Sequence, residues 1–166
     1  MAPTTNYSKD LGDREPLSVM RESGARLTAL TRGWSAADFE RPYAPGKWTA
    51  RQIVTHLAQT ELALGVRARM ALATPNYTAQ AFDQDLWVGR ETRLSGSDAV
   101  AAFAGICGMN LRLFEGLSQA DREISMAHPE YGSITVDWII HTSPATRFTT
   151  STNSSPSAFQ IPNPNS

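Results

Sequence analysis

Residues 49 to 73 contain no proline and a single glycine, Gly65. Read as one helix, the stretch is roughly 36 Å long at 1.5 Å per residue. A helix of that length in a chain of 166 residues restricts the fold. Its apolar stripe, Ile53, Leu57, Leu64 and Ala68, has to be covered by partners of similar length. The start is well marked. Thr49 has the features of an N-cap, Gln52 can complete a capping box, and Trp48 and Ile53 can form a hydrophobic staple. Gly65 is the one position that weakens the helix. His56 falls at the edge of the stripe, near Thr60 and Ala63.

The partners follow from the same patterns. Asp13-Arg14-Glu15-Pro16 reads as a helix start, and Leu17, Met20, Leu27 and Leu30 recur at helical spacing until Gly33. This predicts a helix from about 15 to 32. Ser35 to Asp38 is a small capping box, and residues 40–46 form a Pro/Gly loop. After Thr74-Pro-Asn-Tyr77, the stretch to about Thr92 mixes aromatics and acids without clear period. It reads as a crossover with at most a short helix, and long connections in compact domains often line sites. Ser95 to Asp98 caps a third helix, from about 97 to 116, carried by Val100, Phe103, Ile106, Met109 or Leu111, Phe114 and Leu117. Ser118 to Asp121 can start one more turn, and His128 to Gly132 is a turn.

Ile134 to Ile140 is ambiguous. Its β-branched residues fit a strand, whereas Thr135 as cap and Asp137 in a first turn fit a fourth helix. With three helices before it and no partner strand apparent, helix is the expectation, ended by Pro144 after about two turns. From Ser143 onward Ser, Thr, Asn and Pro dominate, and Arg147 is the only charged residue. That composition predicts a disordered tail. The chain thus divides into a polar, flexible arm (1–13), a helical domain (14–142) and the tail (143–166).

A formal net charge of −1 advertises neither nucleic acid nor an anionic membrane. No run reaches the roughly 18 apolar residues that span a bilayer. The polar amino terminus lacks the apolar core of a signal peptide, and the single cysteine, Cys107, fits a reducing cytoplasm. Cys107 itself reads as a small core residue. The histidines are His56, His128 and His141, with no pair at i and i+4. Taken alone, His56 reads as a hydrogen-bonded residue at the core edge, His128 as a surface turn residue, and His141 as a helix-end residue without a partner. Asp83 and Asp85 read as a solvated loop pair. The four tryptophans read as core or dimer aromatics, since no basic groove accompanies them. No Walker, dinucleotide or nucleophile-elbow motif is present.

Three stretches carry a resemblance. Pro45 to Leu57, Phe82 to Asp85 and Tyr131 to Ile140 are similar, in that order, to the DinB-like (DinB/YfiT-like) superfamily, across about residues 14–141. The spacing from Trp48 to His56 is the most specific part. The resemblance implies an all-α, four-helix up-down bundle with a long crossover, usually a homodimer. It also implies a divalent metal, zinc or nickel, held by one histidine of the second helix and two of an H-x-x-x-H on the last. Relatives include metal-dependent hydrolases and transferases or isomerases that use low-molecular-weight thiols. Only His56 carries over as a metal ligand, because this chain has no H-x-x-x-H.

The likeness fades near His141, where the composition also changes. Reading each codon from the last base of one and the first two of the next, the common codons for His141 to Ser154 permit H-L-A-G-H-A-L-H-H-L-x-Q-L. That string would supply the missing motif on an amphipathic helix. A single-base frameshift therefore accounts for the truncated last helix and its tail; a natural Ser/Thr-rich extension on a metal-free member is the other account. Two functions stay in view. One is a metal-dependent hydrolase or thiol S-transferase impaired by the loss of two ligands. The other is a non-catalytic helical module for dimerisation or small-ligand binding.

Overall fold

The computed structural model of the chain describes residues 11–145, with side chains to 143. Most of the arm expected over 1–13, and the tail beyond 145, lie outside the described residues; Leu11, within that arm, is buried. The elements in chain order are α1 (Pro16–Leu30), α2 (Ala36–Phe39), α3 (Ala50–Ala73), α4 (Gln84–Arg90), α5 (Gly96–Glu115), α6 (Gln119–Arg122), β1 (Ser125–His128), β2 (Gly132–Thr135) and α7 (Val136–Ala145).

Local chemistry sets the helix ends. The Glu15 carboxylate accepts from the Leu17 and Ser18 N–H groups, with Pro16 in the first turn of α1. Gly33, just past that helix, takes φ 79°, a left-handed conformation suited to glycine. At α3 the capping box is complete: the Gln52 N–H donates to Thr49 Oγ1 at 3.3 Å and the Thr49 N–H to Gln52 Oε1 at 2.9 Å. Ser35 and Ser118 form the same box at α2 and α6, and Ser95 caps α5 by accepting from the Asp98 N–H at 3.1 Å.

Four helices, α1, α3, α5 and α7, make the bundle. The closest packing is α3 on α5, followed by α1 on α5, α1 on α7 and α3 on α7. Around the bundle the order is therefore α1, α5, α3, α7, and consecutive principal helices are not all neighbours. The core is built from Met20 and Leu27 of α1, Ile53 and Val54 of α3, Phe103 and Phe114 of α5, and Ile139 and Ile140 of α7. Trp34, Trp48 and Trp138 pack against it half-buried, whereas Trp87 is exposed. Cys107 is buried, with Sγ 3.6 Å from the Met20 carbonyl. Of the two alternatives on α5, Met109 is exposed and Leu111 packs on the core.

A polar cluster ties three of these helices together inside the bundle. Asn110 of α5 donates to the Glu61 carbonyl at 2.8 Å and to Glu61 Oε2 at 3.2 Å. Ser143 of α7 donates to Glu61 Oε1 at 2.7 Å. Arg69 bridges the Gly65 carbonyl and Asn110 Oδ1. Glu61 is about 1% exposed, and a carboxylate that deep is tolerated only with such partners.

The segment 134–140 departs from expectation. Ile134 and Thr135 belong to β2, and the helix starts only at Val136. The partner strand missed in the sequence is β1, antiparallel to β2, with His128 opposite Gly132 at the turn. Four-residue strands are too short for periodicity to reveal. Thr135 still acts as a cap, accepting from the Trp138 N–H at 3.1 Å. The helix also runs through Pro144 to Ala145 instead of ending before it. The hairpin is stitched to the crossover as well: the Ala79 N–H donates to the Ala127 carbonyl and the Ala127 N–H to that of Tyr77. This fixes the crossover beside α3 and α7.

Candidate functional site

His56, Thr60, Leu64 and Arg67 share one face of α3, at i, i+4, i+8 and i+11. That face fronts a cavity of about 260 Å³. The crossover contributes Ala81, Phe82 and Gln84, the hairpin contributes His128, Glu130 and Tyr131, and α7 contributes Trp138 and Thr142. The site thus gathers side chains from four parts of the chain, and the backbone bonds between crossover and hairpin hold those two together.

His56 is 4% exposed. Its Nε2 lies 3.5 Å from Thr60 Oγ1, and its ring stands 5.3 Å from that of Trp48. Burial pushes the imidazole down to about 4, against the opposing pull of the Asp85 carboxylate. His56 is therefore neutral near pH 7 and keeps a lone pair, as a base or a metal ligand requires.

His128 corrects the expectation of a surface residue: it is 4% exposed and lines the same cavity. The inward–outward alternation of β1 turns Met126 and His128 to the interior. Its Nδ1 accepts the Glu130 N–H at 3.2 Å, which leaves the proton of the neutral ring on Nε2. That Nε2 is buried with no partner among the described residues. Burial and the neighbouring Arg67 charge both push the ring below its ordinary value. Tyr131 stacks at 4.8 Å from His128 and 5.1 Å from Trp138.

His141 also has partners that the sequence did not reveal. Its Nδ1 is 2.9 Å from the Asp137 carbonyl and 3.6 Å from Asp137 Oδ2. It is not among the residues that line the cavity. Asp83 accepts from the Leu86 N–H as the cap of α4, and Asp85 is exposed on the first turn.

Arg67 is the residue sequence reasoning missed. It is 8% exposed, donates to the Gln80 carbonyl, and has its guanidinium 5.8 Å from the Phe82 ring centre. Its spacing of eleven from His56 was the available signal. Among the described residues, no group of three or more His, Cys, Asp or Glu side chains is placed to hold a metal ion. His56 suits a ligand, but His128 is committed as a donor, so the described donor set falls short of a metal centre.

Comparison with known proteins gives consistent matches. A model of the DinB superfamily matches residues 20–143. A protein of Bacillus licheniformis named "Putative metal-dependent hydrolase" is 31% identical over 135 residues, covering 79% of this chain and 72% of the relative. One of Oceanobacillus iheyensis with the same description is 28% identical over 112 residues, covering 67% of this chain. The chain spans 65% of that second relative's length, and less of several others. Among solved structures, YfiT from Bacillus subtilis superposes with a TM-score of 0.71 at 21% identity, over 87% of this chain and 82% of its own. That likeness concerns the fold, described for YfiT as a four-helix bundle of unusual topology.

Proposed function

The chain belongs to the DinB superfamily, and on that premise we propose that it is a metal-dependent hydrolase or thiol S-transferase by lineage, with His56 as its metal ligand. The observation that carries the reading is His56 itself, buried, neutral and lining the cavity. The names of the curated relatives support the hydrolase side. The metal would be zinc or nickel, and the substrate a small molecule or a low-molecular-weight thiol. In this form the protein is impaired, because the sequence carries no second and third histidine of an H-x-x-x-H. No step of chemistry is assigned to a metal on this donor set.

Metal analysis of the purified protein tests the reading. The expected result is substoichiometric zinc or nickel that falls further in His56→Ala. Stoichiometric metal lost in His56→Ala would overturn the impairment, and stoichiometric metal unaffected by it would overturn the ligand. The frameshift account of the residues after His141 is tested by sequencing the gene across the codons for 138–150. An uninterrupted frame there removes that account and leaves a diverged member with a Ser/Thr-rich extension.

The alternative is a non-catalytic helical module. Leu62, Val66 and Met70 form an exposed apolar row along α3 at i, i+4 and i+8. We assign that row to a homodimer contact, in keeping with the second reading and compatible with the first. No helix among the described residues is long and apolar enough to cross a membrane, and a cytoplasmic setting is proposed from the single cysteine.

A further inference from the structure

We propose that Arg67, with His128 beside it, forms an anion-binding end of the cavity, and that the ligand of this site is a small organic carboxylate. The inference rests on the reading of this cavity as the functional site, but not on any metal.

The argument starts from an unbalanced charge. Arg67 is 8% exposed, and a guanidinium carries five N–H donors. One carbonyl, that of Gln80, accepts from it, and Phe82 faces it at 5.8 Å. It forms no ion pair among the described residues, although its neighbourhood includes the exposed Glu130. A buried guanidinium so sparsely paired is destabilising until an acceptor occupies its fork. The charge is also near enough to act on the His128 ring. The buried Nε2–H of that ring is a second donor without an acceptor among the described residues. Two donor groups whose one acidic neighbour, Glu130, forms an ion pair with neither among the described residues describe a place for an oxyanion.

The surroundings select a carboxylate over a phosphate. One cation is present, and Glu130 lines the same cavity with a negative charge. A dianion would meet that charge, whereas a planar monoanion matches the guanidinium fork without excess. The remaining walls include Leu64, Phe82 and Trp138, which offer apolar cover for an organic body and none for a free inorganic ion. The cavity, about 260 Å³, admits a molecule of a few carbon atoms or a single small ring. His56 lies on the same α3 face as Arg67, so a carboxylate held there presents the rest of the ligand toward His56.

Calorimetric titration of the full chain with benzoate, its neutral isostere benzamide, and inorganic phosphate tests this, all in a chelator so that metal plays no part. Saturable one-site benzoate binding in the millimolar range or better is expected, with benzamide and phosphate each at least about tenfold weaker. Arg67→Met should weaken benzoate about tenfold or more, with Arg67→Lys between the two, because lysine keeps the charge but not the fork. Glu130→Gln, at an exposed position, should tighten benzoate without affecting the fold. Equal affinity for benzoate and benzamide would overturn the proposal, as would unchanged benzoate affinity in a folded Arg67→Met. Phosphate binding tighter than benzoate would overturn the carboxylate assignment, and so would the absence of saturable benzoate binding. If Arg67→Met does not fold, Arg67→Lys and Glu130→Gln decide by the same criteria. Loss of metal binding leaves this result untouched, so the two readings fail separately.

Discussion

His56 carries a cost that pH can expose. Its imidazole is held down to about 4 in the folded protein, by burial first, against 6.5 for the ordinary group. Between those values the unfolded chain takes up a proton that the folded chain refuses. The folded state is therefore favoured fully above about pH 6.5 and loses that advantage as pH falls toward 4, by about 3 kcal/mol in total. Thermal melts from neutral pH down to pH about 4 should show wild type losing stability through this window. His56→Gln should lose clearly less, and parallel curves for the two would refute a buried, neutral histidine. The same environment explains why Arg67 went unnoticed in the sequence. Leu64 and Ala68 beside it mark only an apolar stripe, and a buried cation is visible only once its neighbours are known. His128 misled for a related reason. A histidine before proline in a polar turn reads as surface, and only the pairing of β1 with β2 turns it inward.

Gly65 shows how a local rule is overruled by packing. In an isolated helix, Gly→Ala stabilises by about 1 kcal/mol. In α3 a Cβ at position 65 would stand 2.2 Å from Asn110 Oδ1. The substitution would force Asn110 off its buried bonds to Glu61 and Arg69, each worth roughly 1–3 kcal/mol when left unmet. The clash exceeds the propensity gain, so Gly65→Ala should destabilise by about 2 kcal/mol or more in denaturant melts. A more stable variant would mean that α3 and α5 can part at little cost. The residue that looked like the weak point of the longest helix is what lets the two closest helices approach. The ends of that helix were legible, because a capping box depends on residues three apart and little else. The hairpin was not, because strands of four residues draw their identity from each other.

At the level of the whole molecule, the exposed row on α3 is the feature that acts beyond the chain. Leu62, Val66 and Met70 are 43%, 47% and 40% exposed and share one line along α3, whereas the exposed Met109 lies on α5. If it is the homodimer contact, Val66→Glu should convert the species seen by sedimentation from dimer to monomer while its helical signal is unchanged. A wild-type monomer at micromolar concentration would remove the assignment. The sequence by itself determined the helical class, the capped starts of the long helices, the existence of a site-lining crossover and the family likeness around Trp48 and His56. Each of these is written in contacts a few residues apart, where periodicity and turn chemistry operate. Tertiary structure alone decided the order of helices around the bundle, the need for Gly65, and the cavity that brings His56, Arg67, Phe82, His128 and Trp138 together. Those residues lie up to 82 positions apart, and no local rule acts over that distance; what joins them is the burial of apolar faces, which the chain resolves only as a whole.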